Sequence, residues 1–324
     1  MAKQNARPNR LHKAGFYAAN ALSGVLPWAW WSQQRDRLMS ELESLTPSIR
    51  ADIMARVRYY NRLHQTFAPA PDAEPIRLFS PRNKSSAYYF DLRNVIRYFP
   101  RDARVAYQLG DVTRIPEHPR FVKSRPITAG DTNAHSVLLK LNTVRHYVKV
   151  EDKLAFEDKH PTAVWRGKSN HPERIAFARK WADSQLCDIG CVRHKEPTVQ
   201  AYHKPFMTIP EQLEHQFIVS VEGIDVATNL KWIMASNSLC LMRRPRFETW
   251  FMEGTLQPDI HYVQLKDDFS DLEQKVTYYR EHPSEAKRII TNARQHAARF
   301  SNHNHERLIS LLVIDRYLRL SGQI

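Results

Sequence analysis

The spacing of apolar positions changes character twice along the chain. Leu38, Leu42 and Leu45, then Ile49, Ile53, Val57 and Tyr60, recur at helical intervals, so residues 33 to 66 read as helix broken near Pro47. The run Ala-Pro-Ala-Pro-Asp-Ala-Glu-Pro at 68–75 is a stiff connector. Beyond it the pattern is mixed. Tyr88-Tyr89-Phe90 and Val105-Ala106-Tyr107 read as short strands, and Ser136 to Leu141 fits a helix or a strand. From residue 162 strands and helices alternate. Strands are expected at Ala163–Trp165, Cys187–Val192, Phe217–Val221, Leu239–Met242 and Tyr262–Leu265. Helices are expected at Pro172–Asp183, 210–216, Thr228–Ala235 and Phe247–Met252. Ser270 to Glu273 reads as a capping box opening another helix, and Pro283 starts one more.

Such alternation implies a parallel sheet with helices on both faces, and such sheets bind ligands at the carboxyl ends of their strands. The first expected strand is followed by Arg166-Gly167-Lys168-Ser169-Asn170 and by Arg174 in the first turn of a helix. Cations beside a helix N-terminus form an anion site without glycine richness, although a solvated basic loop has the same composition. Arg174 opposes the helix dipole there and needs a compensating partner; a bound phosphate would be one. After Val221, Glu222 is placed to accept from a ribose diol, and Thr228 and Asn229 to donate to a diphosphate. Asp225 or Thr228 equally suits a helix cap. Asp111 follows Gly110 at a strand end, as a turn residue or a catalytic carboxylate. Lys123 and Arg125 add cations near the same edge, for a phosphate or an ordinary surface loop.

Composition removes several classes. The nine glycines never stand closer than nine positions apart, so neither a G-x-G-x-x-G fingerprint nor a P-loop is possible. Three cysteines are too few for a zinc module and odd for a disulfide framework; they read as reduced thiols of a cytoplasmic protein. No two histidines stand four residues apart, and no Asp-x-Asp occurs. No metal site is therefore expected, and a nucleotide would be held by cationic side chains and helix N-termini. Lys and Arg exceed Asp and Glu by 48 to 34, giving a charge of +14 that attracts polyanions. The excess forms no run of like charge and no nucleic-acid motif accompanies it. The basic start (Lys3, Arg7, Arg10, Lys13) leads into residues 14–34, uncharged and bearing Trp28, Trp30 and Trp31. Asn20, Ser23, Gly24 and Pro27 interrupt that stretch, against a signal peptide or a spanning helix. A segment lying in a membrane interface and a helix packed on the protein's own core both fit it.

Four stretches together resemble glycosyltransferase family 90, which includes bacterial lipopolysaccharide-core transferases and eukaryotic protein O-glucosyltransferases. They are Gly110 to Pro116 with Val122 to Ile127; Val164-Trp165-Arg166-Gly167 followed by Pro172-Glu173-Arg174; Phe217 through Trp232; and Glu248 through Leu272. The likeness runs over roughly residues 85 to 300 and is closest to the bacterial lipopolysaccharide branch. It implies an α/β protein of GT-B type, two Rossmann-like domains facing a cleft, with extra N-terminal helices. On that fold the chain divides into a helical segment and connector (1–75), an acceptor-side domain (76–160) and a nucleotide-sugar domain with C-terminal helices (161–324).

The resemblance also implies an inverting, metal-independent transfer from a UDP-sugar, with Asp111 in the place of the family's catalytic base. Arg166, Gly167 and Arg174 match its basic donor loop. Asn229 stands where eukaryotic members carry a diphosphate-binding arginine, a departure that Lys231, Lys168 or Arg125 would make good. Glu222 and Asp225 would fix ribose or sugar hydroxyls, and Thr228 would approach the diphosphate. The expected partners are UDP-glucose or UDP-galactose, a lipopolysaccharide inner-core heptose as acceptor, and an anionic membrane surface; no nucleic acid and no cofactor are expected. The expected location is the cytoplasmic face of the inner membrane. A non-catalytic polyanion binder on a degenerate transferase fold is the alternative, supported by Asn229. A protein O-glucosyltransferase is disfavoured by the missing disulfide framework and by a chain end, Ser-Gly-Gln-Ile, without an ER-retention signal.

Overall fold

A computed structural model of the protein describes Gly15 and residues 27–80, 86–168, 171–192 and 201–324. The chain forms two compact units. The first holds the described residues up to Arg145, together with Phe247–Met252 and Phe300–Ile324; the second holds His146–Arg246 and Glu253–Arg299.

In the first unit, helix Trp28–Ser44 is followed by helix Pro47–Tyr60, whose proline occupies the first turn where no backbone donor is missed. Strands β1 (Glu74–Pro75) and β2 (Arg104–Val105) pair antiparallel. Strands β3 (Tyr107–Gln108), β4 (Arg120–Val122) and β6 (Ser136–Leu138) form a small parallel sheet in the order β3-β4-β6. Strand β5 (Ser124–Pro126) pairs antiparallel with a later segment, Phe247–Thr249 (β11 in chain order). The closing helix, His303–Leu320, is capped by the Asn302 side chain, which accepts from the backbone of Asn304 and His305. It buries Leu308, Leu311, Ile314 and Tyr317, and Tyr317 lies 4.5 Å from the Phe121 ring of β4. Trp31 is buried against Tyr98, and Trp28 donates its indole N–H to the Phe99 carbonyl at 2.9 Å. Two of the three tryptophans of the interface-like stretch thus face the unit's own core, while Trp30 is exposed. Residues 14 and 16–26 of that stretch lie outside the described residues.

The second unit is built on an all-parallel sheet of β7 (His160–Gly167), β8 (Cys187–Cys191), β9 (His215–Ser220), β10 (Leu239–Met242) and β12 (Val263–Gln264). The order is β12-β10-β9-β7-β8. Strand β10 and the central stretches Ala163–Trp165 of β7 and Phe217–Val219 of β9 are apolar without alternation and buried, as a sheet covered on both faces requires. Helices Pro172–Trp181, Leu272–Glu281 and Pro283–Ala298 supply Phe177, Val276 and Ile289 to the core. Numbered along the chain, the strands run 2-1-3-4-5. The winding direction therefore reverses between β7 and β9, and a doubly wound sheet receives its ligand at that reversal, beyond the carboxyl ends.

Three local expectations are corrected. Tyr88-Tyr89-Phe90 is not a strand but part of helix Ser86–Ile96; Tyr89, Leu92 and Ile96 are its buried positions, a helical spacing that outweighs aromatic β-propensity. Phe247–Met252 is not helical: its first half is β11, and Met252 turns the chain at φ 58°. Buried partners decide this, since Glu248 meets Arg125 and the Trp250 ring stacks on Tyr60 at 3.8 Å. The capping box at Ser270 does not form. Asp271 precedes helix Leu272–Glu281 but accepts from the Lys266 backbone, and Glu273 accepts from Ser184. Among the described residues no helix is long and apolar enough to cross a membrane.

Candidate functional site

The reversal in the second unit is bridged by Arg174. From the first turn of helix Pro172–Trp181 its Nε donates to the Glu222 carbonyl at 3.1 Å and its Nη2 to the Val221 carbonyl at 3.0 Å. Those carbonyls at the end of β9 are the compensating partners that an arginine at a helix N-terminus requires. A Cβ on Gly223 would stand 3.1 Å from Nη2, so glycine there lets the guanidinium lie against the turn. Gly167 has a different reason: its Cβ would fall 2.2 Å from the Trp165 indole.

Beside Arg174 sits a compact charged group. Glu222 Oε2 accepts from Arg246 Nε at 2.9 Å and lies 3.8 Å from Arg243. Glu173 Oε2 accepts from Arg246 at 3.1 Å and from Arg243. Partial burial alone would raise the Glu173 pKa, but Arg243 and then Arg246 outweigh it and hold the carboxyl below its ordinary value. Burial alone would likewise lower the Arg246 pKa, and Glu222 and Glu173 reverse that. The group joins the carboxyl ends of β7, β9 and β10.

The remaining donor-side candidates divide. Lys168 is exposed and Thr228 half-buried on the same loops. Arg166 turns toward the outer strand, donating to the Asp188 carboxylate at 2.7 Å and to the Pro205 carbonyl at 3.0 Å. Asp225 is buried. Asn229 faces back into β9: its amide donates to the Val219 carbonyl at 3.0 Å, and its oxygen pairs with the Ser220 hydroxyl at 3.1 Å. Asn229 is also the residue that precedes helix Leu230–Met234, and its side chain makes no capping hydrogen bond there. Lys231 is buried in an ion pair with Glu253 at 3.0 Å.

In the first unit Asp111 follows β3. Gly110 has φ 116°, a left-handed backbone that only glycine adopts without strain, and it sets the direction of the carboxylate. Asp111 Oδ1 accepts from Lys123 Nζ at 2.5 Å and from the Tyr88 hydroxyl at 3.2 Å. Tyr88 in turn accepts from the Asn142 amide at 3.1 Å. Lys123 is buried while Asp111 keeps about a third of its side chain exposed, its side chain at 35%. Burial would raise the Asp111 pKa, yet Lys123, Tyr88 and the field of Arg145 outweigh it and hold the carboxyl below its ordinary range. Asp111 is thus an ionised, oriented and solvent-reachable carboxylate. Arg125 is fully buried instead. It pairs with Glu248 at 2.7 Å and donates to the carbonyls of Tyr59 and Ser136, tying β5 and β11 to helix Pro47–Tyr60.

The structure brings Arg174 and Glu222 together, leaves Lys168 and Thr228 on the loops that follow β7 and β9, turns Arg166, Asn229 and Lys231 to protein partners, and sets Asp111 with Lys123 on the other unit. Sequence reasoning missed Arg243, Arg246 and Tyr88. The two arginines follow Met242, the end of β10, so the strand-end rule applied once more would have found them. Tyr88 was hidden by its reading as a strand residue.

A doubly wound parallel sheet with arginines at its reversal, accompanied by a second α/β unit that carries Asp111, defines an α/β protein. Comparison with known proteins narrows this. The sequence model of Glycosyl transferase family 90 matches residues 131–305, which takes in the second unit's strands but not Asp111. The O-glucosyltransferase LpsA of Dichelobacter nodosus is 47% identical over 309 residues, covering 95% of this chain and 96% of that protein. The chain belongs to glycosyl transferase family 90 and is a glycosyltransferase. Protein O-glucosyltransferase 2 of Danio rerio is 26% identical over 152 residues, and Protein O-glucosyltransferase 3 of Homo sapiens 28% over 137 residues. Those matches cover 44% and 41% of this chain but only 29% and 27% of the animal proteins.

Proposed function

We propose that the protein is an inverting, metal-independent hexosyltransferase that uses UDP-glucose or UDP-galactose and glycosylates an inner-core heptose of lipopolysaccharide. The observation that carries this reading is Asp111, an ionised carboxylate held by Lys123 and Tyr88. Glucose is favoured by the 47% identical relative, an O-glucosyltransferase. In the proposed GT-B arrangement the first unit supplies the base and the second the nucleotide site. The acceptor hydroxyl oxygen attacks the anomeric carbon, the bond from that carbon to the phosphate oxygen breaks, and UDP leaves with the electron pair. The hydroxyl proton passes to Asp111. Such general-base help is worth about 10²–10⁴-fold. Guanidinium groups near Arg174, in place of a metal ion, would hold the charge that develops on UDP.

The acceptor side rests on charge. Inner core is phosphorylated and assembled at a membrane face, and a protein of +14 would concentrate at an anionic surface. Incubation with UDP-glucose, UDP-galactose, UDP-xylose and UDP-N-acetylglucosamine, with EDTA and heptose-terminated core oligosaccharide, tests the proposal. UDP release coupled to a glucosylated or galactosylated product is expected. Transfer only from UDP-xylose or UDP-N-acetylglucosamine, or only when a divalent metal replaces EDTA, would overturn it.

A further inference from the structure

The resemblance puts Asn229 where eukaryotic members carry a diphosphate-binding arginine; its amide is spent on β9, and Lys231 is buried with Glu253. The charge has to come from elsewhere on the carboxyl edge. Arg243 and Arg246 stand there, one strand over from the reversal, after the end of β10. Arg246 keeps 48% of its side chain exposed. Both reach the same oxygen, Glu173 Oε2. Two guanidiniums converging on one oxygen is the geometry with which arginines grip a phosphate. Arg243 and Arg246 face the two carboxylates of Glu173 and Glu222, and Arg174 lies beside them with its guanidinium on the backbone carbonyls of Glu222 and Val221.

We propose that Arg243 and Arg246 are the diphosphate clamp of the donor site, with Glu173 as an internal anion that holds the pair in position until the nucleotide displaces it. This rests on the donor reading above. A diphosphate carries more charge than one carboxylate and offers several acceptor oxygens, so it wins the exchange. Glu222 still holds Arg246 through Nε and the backbone N–H, which keeps the guanidinium in place after Glu173 is released. Arg243 is steadied independently over the Phe269 ring at 4.9 Å and by the Asp267 carbonyl.

Calorimetric titration of the full chain with UDP and, separately, with uridine tests this. The wild type is expected to bind UDP far more tightly than uridine. Arg246→Gln should weaken UDP by about ten-fold or more and leave uridine unchanged, because charge-assisted hydrogen bonds to phosphate are lost. Glu173→Gln should tighten UDP several-fold, since the competing charge is gone, and again leave uridine unchanged. A purely structural ion-pair cluster would make Glu173→Gln neutral or weakening, and that result overturns the proposal, as does an Arg246→Gln protein that binds UDP like wild type. Melting temperatures within a few degrees of wild type establish that both variants are folded, and Glu173→Gln remains decisive if Arg246→Gln is not. Wild-type protein that binds no uridine nucleotide at all is a different failure, of the donor reading itself.

Discussion

Replacing Asp111 by asparagine removes the proton-accepting site and the charge while keeping the shape. The amide oxygen is still able to accept from Tyr88, now 3.2 Å away, and from Lys123. Lys123 is buried, so the loss of its counter-ion should cost about 1–3 kcal/mol of stability, moderated by the solvent exposure on the Asp111 side. The kinetic cost is larger. Without a base the attacking hydroxyl must lose its proton unaided, so kcat should fall by about 10²–10⁴-fold, or ~2.7–5.4 kcal/mol of transition-state stabilisation. The proposed nucleotide-binding residues lie in the other unit, so UDP affinity should stay within about two-fold of wild type. The assay is initial-rate UDP release with acceptor present, beside a UDP titration of the same preparation. An Asp111→Asn enzyme that turns over at near wild-type rate refutes the assignment. A parallel loss of UDP binding would show that the substitution perturbs more than the base.

Tyr88→Phe should keep the fold and lower kcat modestly, with the acid limb of the pH–rate profile moved to higher pH, since one of the groups holding Asp111 ionised is lost. Lys123→Met should move that limb further in the same direction, because burial then raises the Asp111 pKa against weaker opposition; a profile identical to wild type would contradict the role of both. Glu306 pairs with Arg56 at 2.6 Å and Lys140 at 2.9 Å in the core of the first unit. Glu306→Ala leaves those cations uncompensated and should destabilise by about 3–5 kcal/mol in denaturant titrations. His215 is kept neutral, its pKa pushed down to about 4 by burial and by neighbouring His160. The unfolded chain therefore binds the extra proton first, so this contribution is intact above about pH 6.5 and is lost as pH falls through about 4. The melting temperature should fall over that window, less steeply in His215→Gln.

The alternation beyond residue 162 was legible because β10 and the central stretches of β7 and β9 are buried on both faces and bounded by Pro172, by Pro210 and by the polar stretch from Ala235 to Ser238. The strand-end rule then pointed to Arg174 and Glu222, which do meet. What the rule does not carry is side-chain direction. Arg125 and Lys231 are cations in the right neighbourhood by sequence, yet each is paired with a buried glutamate contributed by a distant segment. Asn229 likewise points into β9 because its amide satisfies the Val219 carbonyl. Such pairings depend on which segments pack together, and period and composition hold no record of that. The strand at Phe247 was missed for the same reason: its partner, β5, lies more than a hundred residues earlier.

The most direct test of a single-displacement mechanism served by one carboxylate is the anomeric configuration of the first product. Proton NMR of the reaction with UDP-α-glucose and core acceptor, in EDTA, should show a β-glucoside appearing at the rate at which UDP is released. An α-glucoside as the initial product would contradict the account, because retention requires a second displacement or front-face attack in which Asp111 would not act as the base described here.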